Sequence, residues 1–122
     1  MPNYFSIMWD VQPGSEDKIR ELFSDYGRPD HDVKDADGNV VGKLLGTQVY
    51  MKGNTVVRVI EFEGSIADVA PHMGRQQAIK TLEDELDKYL VNPRDMSTPE
   101  GARKFFMETA METLIARRWD DP

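Results

Sequence analysis

Polar and apolar positions change period several times along the chain, and each change marks an element. Tyr4–Gln12 (YFSIMWDVQ) is rich in aromatic and branched residues and stops at Pro13-Gly14, which predicts a strand. Ser15 then stands as a helix cap with Glu16 and Asp17 in the first turn, where the helix dipole favours acids. Ile19, Leu22, Phe23 and Tyr26 follow at helical spacing up to Gly27. The polar stretch Arg28–Asn39 has room for a small hairpin around Asp37-Gly38. Strands are expected at Lys43–Lys52 and Thr55–Glu63, joined by the tight turn Lys52-Gly53-Asn54 into an antiparallel hairpin. Ser65 and Asp68 open a further helix, which Pro71 should kink or split. From Arg75 to about Leu90 the stripe Ile79, Leu82, Leu86, Tyr89 continues it. Thr98-Pro99 starts a last helix, expected to reach about Arg117.

The order strand, helix, strand, strand, helix predicts an α+β fold with a ferredoxin-like antiparallel sheet and helices on one face. That pattern calls for a fourth strand, and Tyr89–Asn92 and Thr113–Trp119 are both poor candidates for it. In Thr55–Glu63, Val56, Arg58, Ile60 and Phe62 share one face, and Val57, Val59, Glu61 and Glu63 share the other. A strand apolar on both sides is covered on both sides. The chain's own helices cover one; a second copy of the sheet is the simplest cover for the other. Arg58 in the middle of such a strand therefore needs partners or a cavity.

With 122 residues, the chain is expected to form a single domain, 1–122, able to bury a core without staples. It has no cysteine, which removes disulfides, thiolate metal sites and thiol nucleophiles. A formal net charge of −7 argues against nucleic acid as a partner. No apolar run is long enough for a membrane helix and no signal peptide is visible, so a cytoplasmic protein off the membrane is expected.

Several residues carry candidate chemistry. Arg58 stands equally well as a pocket residue or as half of a structural ion pair. His72 in PHMGRQQ is a candidate acid or base, with Arg75 three residues on and able to share its face; its bland alternative is a histidine at the edge of the core. His31, among aspartates in PDHDVKDADGN, reads first as a solvated loop residue. A calcium loop fails there, because Val33 and Leu44 fall where acids are required. Two distant histidines make no zinc site, so no metal is expected. Phe105, Phe106, Met107 and Met111 read as core, and Trp9 and Tyr50 as walls suited to a flat aromatic ligand. No phosphate loop, GxSxG or HExxH occurs, and no cofactor is expected.

The text VVRVIEFEGSIADVAPHMGRQQAIKTLEDELDKYL, followed by PRDMSTPEGARKFF, resembles the SchA/CurD-like family of aromatic polyketide biosynthesis proteins. The helix text HM-RQ…E…L-YL is also similar to TcmI-like polyketide cyclases. The resemblance implies a dimeric α+β barrel with a pocket between sheet and helices in each subunit. It implies a homodimer acting on an aromatic polyketide intermediate, with polyketide synthase components as further partners. The implied reaction is aldol cyclisation or aromatisation; the alternatives are cofactor-free oxygenation of an aromatic ring and a non-catalytic chaperone role. Arg58 and His72 fall in the matching motifs, with Gln76 and Arg94 beside them. On this reading Arg58 stabilises an enolate or phenolate and His72 or His31 moves the proton. Trp9, Tyr50, Gln48, Arg75 and Gln76 are then expected to line the substrate pocket.

Overall fold

A computed structural model describes residues 3–24 and 26–119 of the chain. Strand β1 (Asn3–Asp10) leads into helix α1 (Glu16–Ser24). Strands β2 (Asp32–Lys34), β3 (Val40–Lys52) and β4 (Thr55–Glu63) follow. Helices α2 (Ile66–Arg75), α3 (Gln77–Leu86) and α4 (Pro99–Thr109) complete the order, with a single 3₁₀ turn at Asp87–Tyr89. The strands form one antiparallel sheet in the order β1-β4-β3-β2. The expected α+β architecture is present, with the helices gathered on one face.

That face is set by period two. Phe5, Ile7 and Trp9 of β1 align with Ile60, Arg58 and Val56 of β4. The buried side chains of this face pack against Ile19 of α1, Val69 and Met73 of α2, Ile79 and Leu86 of α3, and Phe105 of α4. The β3–β4 turn closes through Gly53 at φ 59°, a left-handed backbone that glycine adopts without strain.

Four expectations change. The fourth strand is β2, supplied by the polar connection: the turn Asp35–Asn39, with Gly38 at φ 85°, folds Asp32–Lys34 back along Val40–Lys43. It lies on the far edge of the sheet. On the β1 edge, where the ferredoxin-like pattern places its last strand, two single-residue bridges occur, Val11 with Leu90 and Ile7 with Ala110.

Pro71 neither splits nor ends its helix; the break comes at Gln76, whose backbone is extended. Gln76 closes α2 through its N–H to the Met73 carbonyl and opens α3 by accepting from Ile79 and Lys80. Helix α4 stops at Thr109, well short of Arg117, because Ala110 turns extended and the Met111 N–H bonds the Ser6 carbonyl at 2.8 Å.

The chain then crosses to the other face of the sheet. Residues 111–117 lie over Tyr4, Ser6 and Val59, above a cleft of about 470 Å³, and Arg118 pairs with Glu61. The face expected to be covered by a second copy is thus partly covered by this chain itself.

Candidate functional site

Arg58 occupies the middle of β4 and points between sheet and helices, where it is 5 % exposed. Val56 on one side belongs to one apolar cluster, with Trp9, Leu86 and Phe105. Ile60 on the other side belongs to a second, with Phe62, Val69, Met73 and Ile79. The guanidinium therefore sits where two halves of the core meet. Its Nε is buried and has no hydrogen-bond partner. Among the described residues Arg58 makes no salt bridge, and its one named contact is the Tyr26 ring, 6.0 Å from the guanidinium carbon. That distance is the outer limit of a cation–π interaction.

Trp9, on the neighbouring strand, is 8 % exposed, and its indole Nε1 is also buried without a partner. Ile7 pairs with Arg58 and Trp9 with Val56, so Trp9 and Arg58 are diagonal neighbours on one face. Such neighbours are about 7–8 Å apart. Two unsatisfied donors thus face the same interior, in a class of group that folded proteins otherwise keep paired. Their common need is an acceptor oxygen, and a permanent cation favours an anionic one.

His72 is 2 % exposed and fully engaged. Its Nε2 lies 2.9 Å from the Asp30 carbonyl oxygen, and its Nδ1 lies 3.3 Å from the Lys34 N–H. A carbonyl only accepts and an amide only donates, so these bonds select the neutral ring with the proton on Nε2. Arg75 donates to the Lys34 carbonyl at 2.5 Å, and Gln76 accepts from the Asp30 N–H at 3.0 Å. The end of α2 is therefore a clamp on residues 30–34. Asp30 is held below its ordinary 3.8, first by the Asp32 N–H and then by Lys34.

His31 lies on that clamped segment with its side chain in solvent. The structure does not bring Tyr50 and Gln48 to Arg58. Val49 is the residue aligned with Arg58, so Gln48 and Tyr50 point to the opposite face. Tyr50 is 57 % exposed there and its hydroxyl bonds Gln48 at 2.5 Å.

Arg94 is a second buried guanidinium, its side chain 5 % exposed. It pairs with Glu83 and, at 2.7 Å, with Asp87, and it stacks on Phe105 at 4.4 Å. Tyr26 is the residue that sequence reasoning missed as part of the site. It reads as the last member of the α1 apolar stripe, and its contact with a strand over thirty residues away leaves no local signal.

The fold and site together define a small α+β domain built around an unpaired, sheet-mounted cation. The family model of the SchA/CurD-like domain matches residues 2–117, and the chain belongs to that family. It is 34 % identical over 119 residues to "Polyketide synthase CurD" of Streptomyces cyaneus, covering 96 % of this chain and 31 % of that protein. It is 36 % identical over 116 residues to the "42.8 kDa protein in whiE locus" of Streptomyces coelicolor, covering 95 % of this chain and 28 % of that one. "Protein SchA" of Streptomyces halstedii is 29 % identical over 109 residues, 89 % of this chain and 27 % of its own. The chain thus spans under a third of the length of these relatives. No solved structure matches it. Among the described residues no helix is long and apolar enough to cross a membrane.

Proposed function

We propose that this domain binds an aromatic polyketide intermediate between sheet and helices and promotes its aldol cyclisation and aromatisation. The observation that carries this reading is the buried, unpartnered Nε of Arg58 beside the unpartnered Nε1 of Trp9. A poly-β-ketone loses a proton from a methylene flanked by two carbonyls, and the negative charge appears on oxygen. Arg58 stabilises that enolate oxygen from its fixed place on the strand. The carbanion carbon attacks a carbonyl of the same chain, and loss of water completes the ring. Holding a flexible chain in one folded shape supplies much of the acceleration.

His72 enters as a positioning residue, since both ring nitrogens are spent on the 30–34 segment. The proton passes to water in this scheme, and His31, in solvent nearby in sequence, is the remaining imidazole to relay it. The name of the relative from Streptomyces cyaneus supports the substrate class. A homodimer is part of the reading: the second copy would sit on the open sheet face, against exposed Met8 and Tyr50, beside the segment 111–117.

The test is reconstitution with a minimal polyketide synthase, with and without this chain, in air and under argon, read by mass spectrometry. A product lighter by water, or isomeric with a different ring pattern, and formed equally in both atmospheres, is expected. Arg58→Met should abolish it. A product heavier by oxygen that needs air would replace cyclisation by cofactor-free oxygenation. An unchanged profile would leave a chaperone or synthase-docking role.

A further inference from the structure

Arg58 is buried, so a ligand needs a route to it. A depression of about 310 Å³ lies between α1 and α3, lined by Lys18, Glu21, Leu22, Tyr26, Leu82 and Glu85, and by Tyr89 just after α3. Its volume is at the lower end of small-molecule pockets. Tyr26 is common to this depression and to the Arg58 contact. Its ring is half-buried, lines the depression and lies 6.0 Å from the guanidinium carbon. The cleft under residues 111–117 is larger, but it lies on the opposite face and no orphaned donor opens into it.

Tyr26 is held lightly towards Arg58 and firmly at its backbone. At 6.0 Å the cation–π contact is at its limit. Gly27 follows, where an added Cβ would stand 3.0 Å from the Ala78 Cβ of α3, so the chain there is pressed onto α3. Phe23 meets the Tyr26 ring edge-on at 5.9 Å. A movement of Tyr26 is therefore a rotation of its side chain about a fixed point.

We propose that Tyr26 is a door: planar anionic aromatics enter between α1 and α3, swing the Tyr26 ring aside, and place an oxygen on Arg58. This inference rests on the Arg58 site proposed above and adds its entrance and the residue that governs entry. In the empty protein the ring shields the cation; an incoming phenolate or enolate oxygen is a better partner, since charge-assisted hydrogen bonds exceed a long cation–π contact. Leu22, Leu82 and Tyr89 give the passage apolar walls suited to a flat ring system.

The probe is anthraquinone-2-carboxylate, a planar aromatic anion at neutral pH, followed by stopped-flow quenching of Trp9 fluorescence in the full chain carrying Trp119→Phe, which leaves Trp9 as the single tryptophan. Tyr26→Ala should raise the association rate about tenfold or more, and Tyr26→Val, the milder change, should raise it less. Glu21→Phe, at the exposed rim, should lower it about tenfold. Arg58→Met should weaken the Kd at least tenfold, with or without the Tyr26 change. Melting curves confirm that each variant is folded. If Arg58→Met weakens binding while the Tyr26 and Glu21 variants leave the association rate unchanged, the door is wrong and the Arg58 site stands. If Glu21→Phe blocks binding but Arg58→Met does not change it, the probe stays in the depression, and both the door and the Arg58 site fall. No binding to the parent protein at saturating probe overturns both.

Discussion

Two arginines have side chains largely withdrawn from solvent in this molecule and live in opposite circumstances. Arg94 has Glu83, Asp87 and the face of Phe105 around it. Arg58 has an apolar core on both sides, a distant tyrosine ring and an Nε with no partner. A buried pair that satisfies its donors holds structure together, whereas a buried cation without partners costs several kcal/mol of desolvation that nothing repays. Arg94 ties the segment before α4 to the end of α3 and to Phe105 in the second half of α4. Among the described residues Arg58 makes no such pair, and the proposed ligand site rests on that difference. The difference that matters is one of pairing.

The Arg94 side should break most readily. Gly101 of α4 faces the loop that Arg94 anchors, and a Cβ there would stand 1.7 Å from the Asp95 carbonyl oxygen. Gly101→Ala gains about 1 kcal/mol of helix propensity and forces backbone from backbone. A net loss of about 2 kcal/mol or more is expected, read as a lower urea midpoint; a rise would mean the loop adjusts freely. Arg94→Met leaves two carboxylates unpaired, but both are partly exposed, so the loss should be about 2 kcal/mol rather than the full cost of a buried pair.

Arg58→Met should move the midpoint the other way. Replacing an unpaired buried cation by an apolar chain of similar length is expected to stabilise by about 1–2 kcal/mol, while product formation and probe binding are lost. A destabilised Arg58→Met protein would mean that the guanidinium is paired in solution, and the contrast with Arg94 would collapse. Stability gained together with function lost is the signature that separates a site from a staple.

Much of this was readable in advance, for physical reasons that differ by element. The strand Thr55–Glu63 was legible to the residue, because both faces of a central strand are apolar and an arginine inside the pattern stands out. The start of α4 was legible from Thr98-Pro99, and the Thr98 hydroxyl does accept from the Gly101 N–H at 3.0 Å. The β1 edge was not, because Leu90 and Ala110 each contribute one bridging residue and no alternating run. Pro71 misled, since a proline loses one helix bond while the break at Gln76 is set by a partner, Asp30, more than forty residues earlier. His72 was singled out for its titratable ring; its two backbone partners, Asp30 and, in β2, Lys34, lie about forty residues away, and no local pattern encodes them. Gln48 and Tyr50 lie one step of the pleat away from the face that carries Arg58.

Acid offers the gentlest way to separate the two arginines. The loop beside Arg94 is tied by Asp95, whose carboxylate accepts from the Ser97 hydroxyl and N–H and is held below its ordinary 3.8. Asp35, below 3.8 chiefly through the Asn39 N–H, ties the β2–β3 turn. A carboxylate whose folded value is depressed contributes stability that is whole at neutral pH and is lost as the pH falls through that lowered value. Below about pH 4, therefore, the amides of Ser97 and Asn39 should shift and exchange faster, while those of Val57, Arg58 and Val59 keep their protection, since no carboxylate among the described residues pairs with Arg58. An NMR titration reads both regions in one sample. If the β4 amides moved with Ser97, a carboxylate would be tied to Arg58 in solution, and its freedom to hold an anionic ligand would be gone.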